Sequence, residues 1–328
     1  MKVGERRLLG RSDVPVTALS FGSAAIGGLY APVPEGVETV RRALELGMRY
    51  LDTAPHYGAG TAERLIGEAL EGVPRDSFTI STKAGRLLRP RRPGEEPDDQ
   101  GFVDEPPVKR EWDFSGDGVR RSLESSLERL GLDRVDVVLL HDPDEHEDEV
   151  YAEAYPALAA LRDEGIVGAI GAGMNQAEML TRFVQRLDLD VVLCAGRYTL
   201  LDQSALSELL PACAERGTSV VIGGVYNSGL LAGGTTYNYT AAPAELLERV
   251  ERLRVVCDRH EVPLRAAAMR FPFGHTAVAS VLTGCRTPAE AEDNAALFER
   301  DVPEDLWTDL RDGGLLAADV PVPSRGDR

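Results

Sequence analysis

The sequence predicts an α/β protein whose eight parallel strands close into a (β/α)8 TIM barrel with a long loop after strand 3. Two observations carry this. Eight short, β-rich apolar runs recur along the 328 residues, and amphipathic segments with helical spacing alternate with them. The runs are nearly continuous in apolar residues rather than alternating with polar ones, as expected of strands buried on both faces of a parallel sheet. An open doubly wound sheet is the structural runner-up.

The elements follow in order. TALSFG (17–22), RYLDTA (49–54), FTISTK (78–83) and VDVVLLH (135–141) form the first four strands; VGAIGAG (167–173), DVVLCAG (190–196), SVVIGG (219–224) and ASVLTG (279–284) form the last four. Helices are read over VETVRRALELG, DGVRRSLESSLERLG, EVYAEAYPALAALRDEG and SALSELLPACAERG, whose apolar residues repeat at helical spacing and which end on glycine. The stretch Arg86–Asp113 is rich in proline and charge and stands where a helix would otherwise begin, which marks it as an active-site flap. The C-terminal PVPSRGDR lacks periodicity and is expected to fray. No shift in composition marks a boundary, so residues 1–328 read as one domain.

Composition limits the function. With 43% hydrophobic and 27% charged residues the chain has ample material for a core. A formal charge of -18 argues against a nucleic-acid partner, because phosphate binding needs a basic surface. No apolar run is long enough to span a bilayer and MKVGERRLLG lacks the apolar core of a secretion signal, so a cytoplasmic protein that is a monomer or weak homo-oligomer is expected, with no membrane partner. Cys194, Cys213, Cys257 and Cys285 show no CxxC pairing and read as buried thiols. HDPDEHEDE reads as a solvated acidic loop, and no metal site is expected.

Chemistry in such a barrel sits at the carboxyl ends of the strands. Asp52 ends the second strand, Tyr57 follows it in LDTAPHYG, Lys83 ends the third and His141 the fourth. A free phenol titrates near 10, too high for proton transfer at neutral pH, and an ammonium at Lys83 would pull that value down. Asp52 would keep the buried lysine charged, and His141 would orient the substrate oxygen. His56 is given no chemical role. As isolated residues these four would read as an ion pair, a rim aromatic and a core histidine; together at consecutive strand ends they read as a catalytic centre.

LDTAPHYG, STK and LLHD, in this order at successive strand ends, resemble the aldo-keto reductase family over nearly the whole chain. The resemblance implies a nicotinamide cofactor bound without a Rossmann domain and a catalytic tetrad of Asp52, Tyr57, Lys83 and His141. It implies cofactor contacts at Gly22, at Met174 and Asn175 in GAGMNQ, at Ser228, Gly229 and Leu230 in NSGLL, and at Gly284, Arg286, Glu290 and Asn294 in TGCRTPAEAEDN. Two family positions, a glutamine ending the sixth strand and a stacking tyrosine after the seventh, fall on Ala195 and Gly223. Gly284 and Glu290 stand where NADP-using members have lysine and arginine, so NAD is the expected cofactor over NADP, with Arg286 as a rival phosphate ligand.

HDPD, GAGMNQ, AGRYTLLDQ and NSGLLA narrow the resemblance to a subgroup containing L-fucose dehydrogenase, D-threo-aldose 1-dehydrogenase and pyridoxal 4-dehydrogenase. That implies oxidation of an aldose at C1 to its lactone. Alternatives are a general NADPH-dependent aldehyde reductase, a pyridoxal 4-dehydrogenase, or a cofactor-binding regulatory subunit. Tyr30, Trp112, Arg197 and Tyr198 are candidate substrate walls, with Trp112 equally suited to latching the flap.

Overall fold

The computed structural model describes residues 1–98, 100–237 and 240–324. Its centre is a closed barrel of eight parallel strands: β1 Leu19–Gly22, β2 Tyr50–Asp52, β3 Thr79–Ala84, β4 Val137–His141, β5 Ala169–Met174, β6 Val191–Ala195, β7 Ser219–Gly223 and β8 Val278–Gly284. Each strand pairs with the next, and β8 closes on β1 with Gly284 opposite Gly22. Each of these strands overlaps one of the eight apolar runs read from the sequence.

The period-two alternation of the strands sorts their residues into two cores. Val137 and Leu139 point inward and pack with Tyr50, Ala169, Val191 and Val221, whereas Val138 and Leu140 face the surrounding helices. The hairpin Arg6–Leu8 with Pro15–Thr17 plugs the amino-terminal end, adding Leu9, Val14 and Val16 to the inner core. Close packing here is strict: a Cβ on Gly171 would sit 1.8 Å from the Val191 carbonyl oxygen, so only glycine fits.

The helices are set by their ends and by their apolar faces. Gly116–Leu130 starts at Ser115, whose side chain accepts the Gly118 N–H, stops at Gly131 (φ 63°), and buries Val119, Leu123 and Leu130. Burying each such side chain stabilises the fold by about 1.5–3 kcal/mol. EVYAEAYPALAALRDEG is not one regular helix. Pro156 has no N–H to give, and the chain widens into a π turn over Val150–Ala154 before the helix Tyr155–Asp163.

The Arg86–Asp113 segment is more ordered than a loop. Arg86–Pro90 pairs antiparallel with Val108–Trp112, and the turn between them leans on the mouth: Val103 N–H donates to the Gly28 carbonyl at 3.0 Å and Tyr30 N–H to that of Gly101 at 2.8 Å. It is a hairpin lid. The expected C-terminal fray is also corrected in part. Val322 packs on the core and Pro321 lies so close to Gly274 that no Cβ fits there; residues 325–328 of that stretch lie outside the described residues.

Candidate active site

The register of β1 to β5 delivers the four predicted residues to one place, because Asp52 stands opposite both Gly22 and Ser81, Lys83 opposite Leu139, and His141 opposite Gly173. Tyr57 arrives on the turn after β2. That turn needs glycine at 58, where φ is 59° and a Cβ would lie 2.1 Å from the Gly27 carbonyl oxygen.

Lys83 is the hub. Its Nζ donates to Asp52 Oδ2 at 2.7 Å, to the Thr53 carbonyl at 3.0 Å and to Tyr57 Oη at 3.0 Å. Asp52 Oδ1 accepts from Ser81 Oγ at 2.7 Å, and that hydroxyl accepts from Tyr50 Oη at 2.9 Å. Burial alone would strip the proton from Lys83, but Asp52 and Tyr57 outweigh it and hold its pKa above the ordinary lysine value. A buried cation of this kind persists only with such partners.

Tyr57 departs from expectation. Lys83 does pull its pKa down, but burial dominates and pushes it up to about 12. The resting phenol is therefore neutral, because the desolvation of its hydroxyl outweighs the pull of one ammonium. His141 lies edge-on to the Tyr57 ring with centroids 5.7 Å apart. Burial, then the cations of Arg86 and Lys83, hold it well below the usual imidazole range, so it is neutral. Its Nδ1 is buried without a partner among the described residues and its Nε2 lies 3.5 Å from Asp142 Oδ2. His56 packs on Phe102 and His141, and burial with the charges of Arg86 and Arg110 drives its pKa to about 2.

Two cavities meet at this centre. The first, about 460 Å³, is lined by Tyr57, Lys83, His141, Met174 and Asn175 together with Tyr30, Phe102, Arg86 and Asp142. The second, about 510 Å³, runs from Asp52 and Tyr57 past Gly22, Gly223 and Tyr226 to Ser228, Gly229 and Gly284. Tyr57, Asn175, Ala195, Leu29, Leu193 and Ala24 line both. The second has the character of a dinucleotide cleft. Ser23 Oγ and Asn227 Oδ1 are buried there without partners among the described residues, and such groups call for water or a polar ligand to complete them.

Several predicted contacts fall elsewhere. Leu230 is buried, lines neither cavity, and its N–H is spent on the Asn227 carbonyl at 3.2 Å. Arg286, Glu290 and Asn294 lie outside the lining. Arg286 donates to the Leu29 carbonyl at 2.7 Å; Glu290 accepts the Arg286 N–H at 2.7 Å while its own N–H reaches Thr287 Oγ1, a capping arrangement at the start of the last barrel helix. Asn294 is buried between Tyr226 and Arg265. Ala195 and Gly223 pair in register, but a tyrosine does follow β7: Tyr226, three residues past Gly223, lines the second cavity.

Of the four proposed substrate walls only Tyr30 lines the first cavity. Trp112 lines neither cavity; it is about half exposed, stacks on Phe114 and lies 4.2 Å from the Arg86 guanidinium. Arg197 lines the second cavity, tied to the Asn175 carbonyl at 2.7 Å and to Asp202. Tyr198 turns into the core against Phe271 and is fully buried. Sequence reasoning missed Phe102, Arg86 and Asp142 in the first cavity and Ser23, Asn227 and Thr283 in the second. For Ser23, Asp142 and Thr283 a signal existed, since all lie at or next to strand ends.

Among the described residues no group of three His, Cys, Asp or Glu gathers as a metal site, and no helix is long and apolar enough to cross a membrane. The four cysteines are buried free thiols. Comparison with known proteins agrees with the geometry. The model of the Aldo/keto reductase family matches residues 18–312. The chain is 45% identical to D-threo-aldose 1-dehydrogenase of Pseudomonas sp, covering 95% of this chain and 97% of that one, and 40% identical to pyridoxal 4-dehydrogenase of Microbacterium luteolum, covering 97% and 99%. A solved holo aldo-keto reductase, AKR11C1 from Bacillus halodurans, superposes with a TM-score of 0.73 at 25% identity, covering 99% of each chain. The match along most of the chain, and the two close relatives, establish that this chain belongs to the aldo/keto reductase family and is an NAD(P)-dependent oxidoreductase acting on a small molecule.

Proposed function

We propose that the protein oxidises the cyclic hemiacetal of an aldose at C1 to the lactone, using NAD in preference to NADP. The observation that carries this reading is the 3.0 Å contact between Lys83 Nζ and Tyr57 Oη where the two cavities meet. Similarity to a D-threo-aldose 1-dehydrogenase supports the substrate class.

In this reading the nicotinamide, when bound in the second cavity, supplies the hydride acceptor. Asn175 would hold its carboxamide, and the Ser228–Gly229 turn, with φ of 57° and 91°, would hold the pyrophosphate. Tyr57 first gives up its own proton to solvent and then, as the phenolate, accepts the proton of the C1 hydroxyl as C1 gives up its hydrogen with the bonding pair; the C1–O bond becomes the lactone carbonyl. Lys83 stabilises the transient phenolate and Asp52 keeps Lys83 charged. Neutral His141 donates from Nε2 to the same oxygen, so it orients the substrate without competing for the proton.

The pyridoxal reading has its own support in the 40% identical relative. It shares the chemistry, because pyridoxal also closes to a cyclic hemiacetal. The NAD preference rests on Gly284, which lines the second cavity and offers no cation to a 2′-phosphate. A panel of L-fucose, D-arabinose, L-galactose, other aldoses, pyridoxal and simple aldehydes, assayed with both cofactors by nicotinamide absorbance, tests all of this. Aldose oxidation with kcat/KM at least about tenfold higher for NAD is expected. Turnover confined to simple aldehydes with NADPH would overturn the reading.

A further inference from the structure

We infer that the Arg86–Asp142 pair reads two neighbouring hydroxyls of the substrate, those on C2 and C3, and so makes the pocket selective for polyhydroxylated substrates; this rests on the aldose reading above. Arg86 is the first residue of the lid hairpin, and Asp142 follows β4 directly. Both line the first cavity. Asp142 is held with φ 43°, its N–H donating to the Gly173 carbonyl at 3.0 Å, a backbone setting that aims the carboxylate at Arg86. Arg86 Nη2 donates to Asp142 Oδ2 at 2.6 Å, and the side chains are only 10% and 25% exposed.

What this pair leaves open decides its use. Among the described residues neither Arg86 Nη1 nor Asp142 Oδ1 makes a hydrogen bond and Arg86 Nε is buried without a partner, so the pair keeps a donor and an acceptor unspent. Their charges cancel. An anionic substrate group would be repelled by the carboxylate and a cationic one by the guanidinium, whereas a diol accepts from Nη1 with one hydroxyl and donates to Oδ1 with the other. Lys83, the other charged side chain lining this cavity, is occupied by Asp52, Thr53 and Tyr57.

Position selects the hydroxyls. Asp142 Oδ2 is 3.5 Å from His141 Nε2, the group that holds the C1 oxygen, so the pair reaches carbons next to the reacting one. Leu29, Tyr30 and Phe102 give the same cavity an apolar lining suited to the C–H face of a sugar ring. A site built to hydrogen-bond hydroxyls rejects analogues that lack them far more strongly than an apolar pocket does, because its own polar groups are then left unpaired.

The test compares kcat/KM for the best aldose with that for its 2-deoxy and 3-deoxy analogues, in the wild type, Arg86→Met and Asp142→Asn, with NAD affinity followed by fluorescence quenching. The wild type should discriminate against at least one deoxy analogue by about 10²-fold or more. In the variants that ratio should fall below about tenfold, through KM for the parent sugar, with NAD binding unchanged. Variants that keep the full ratio, or that lose parent and deoxy substrates equally, overturn the inference, as does a wild type that oxidises aldoses without discrimination. A wild type that oxidises no aldose overturns the proposed function and the inference with it. Should circular dichroism show Arg86→Met unfolded, the near-isosteric Asp142→Asn decides alone.

Discussion

The two ends of the barrel use the same pair of residue types for different ends. At the floor, Asp136 Oδ2 accepts both Arg75 Nη2 at 2.8 Å and the Ile80 N–H at 2.7 Å, and Asp190 Oδ2 repeats the device with Arg162 at 2.9 Å and the Ile170 N–H at 3.0 Å. Each acid precedes one strand and staples it to its neighbour. At the mouth, Asp52 also holds a cation, but that cation keeps one donor for Tyr57, which lines the cavities. The partner inventory separates a staple from a reaction centre; residue type does not.

Replacing the phenol tests the mouth most severely. Tyr57→Phe should lower kcat by about 10²–10⁴-fold, the range of general acid–base catalysis, while NAD affinity by fluorescence titration stays the same. A matched loss of NAD binding would make Tyr57 a structural residue instead.

Removing one acid from each end sharpens the contrast. Asp52→Asn strands a buried ammonium and should cost about 3–5 kcal/mol in urea unfolding, together with most of the activity. Asp136→Asn removes a pair that water reaches, so after discounting for screening it should cost only about 1–2 kcal/mol. It should leave kcat within about threefold, since Asp136 touches neither cavity at the mouth. Equal effects of the two changes would dissolve the distinction.

The smallest expected effect is a pH dependence of stability. Burial first, then neighbouring cations, depress the folded-state pKa of His56 to about 2 and that of His141 well below 6.5. The folded state thus binds fewer protons than the unfolded chain once the pH drops below the unfolded value, so this stability is present above about pH 6.5 and lost on acidification. Burial lowers His275 as well, so melting temperature should fall between pH 7 and 5 as the unfolded chain takes up at least about two more protons than the folded one, and His56→Gln should remove about one of them.

The tetrad was legible because strand ends are readable. Apolar runs fix where each strand stops, and alternation then places Asp52, Lys83 and His141 on the inner face. The lid was not legible as a hairpin: proline and charge hide its register, and its order comes from tertiary contacts such as Arg110 donating to the His56 carbonyl at 2.8 Å. Neighbours on a loop are equally opaque, since Arg197 faces the second cavity while Tyr198 enters the core. Glu290 carried an overlooked signal, the Thr-x-x-Glu spacing of a helix start. For Tyr57 the sequence named the cation but not the depth of burial, so the sign of the net pKa shift came out opposite.

The claim on which the account turns is that the Lys83 ammonium makes the Tyr57 phenol a usable base. The pH dependence of kcat/KM for oxidation, in wild type and Lys83→Met, measures this directly. The wild-type rate should climb about tenfold per pH unit toward one alkaline pKa, because only the phenolate accepts the proton, and loss of the ammonium should move that pKa upward by at least about one unit. An alkaline limb at the same pH in both proteins would contradict it.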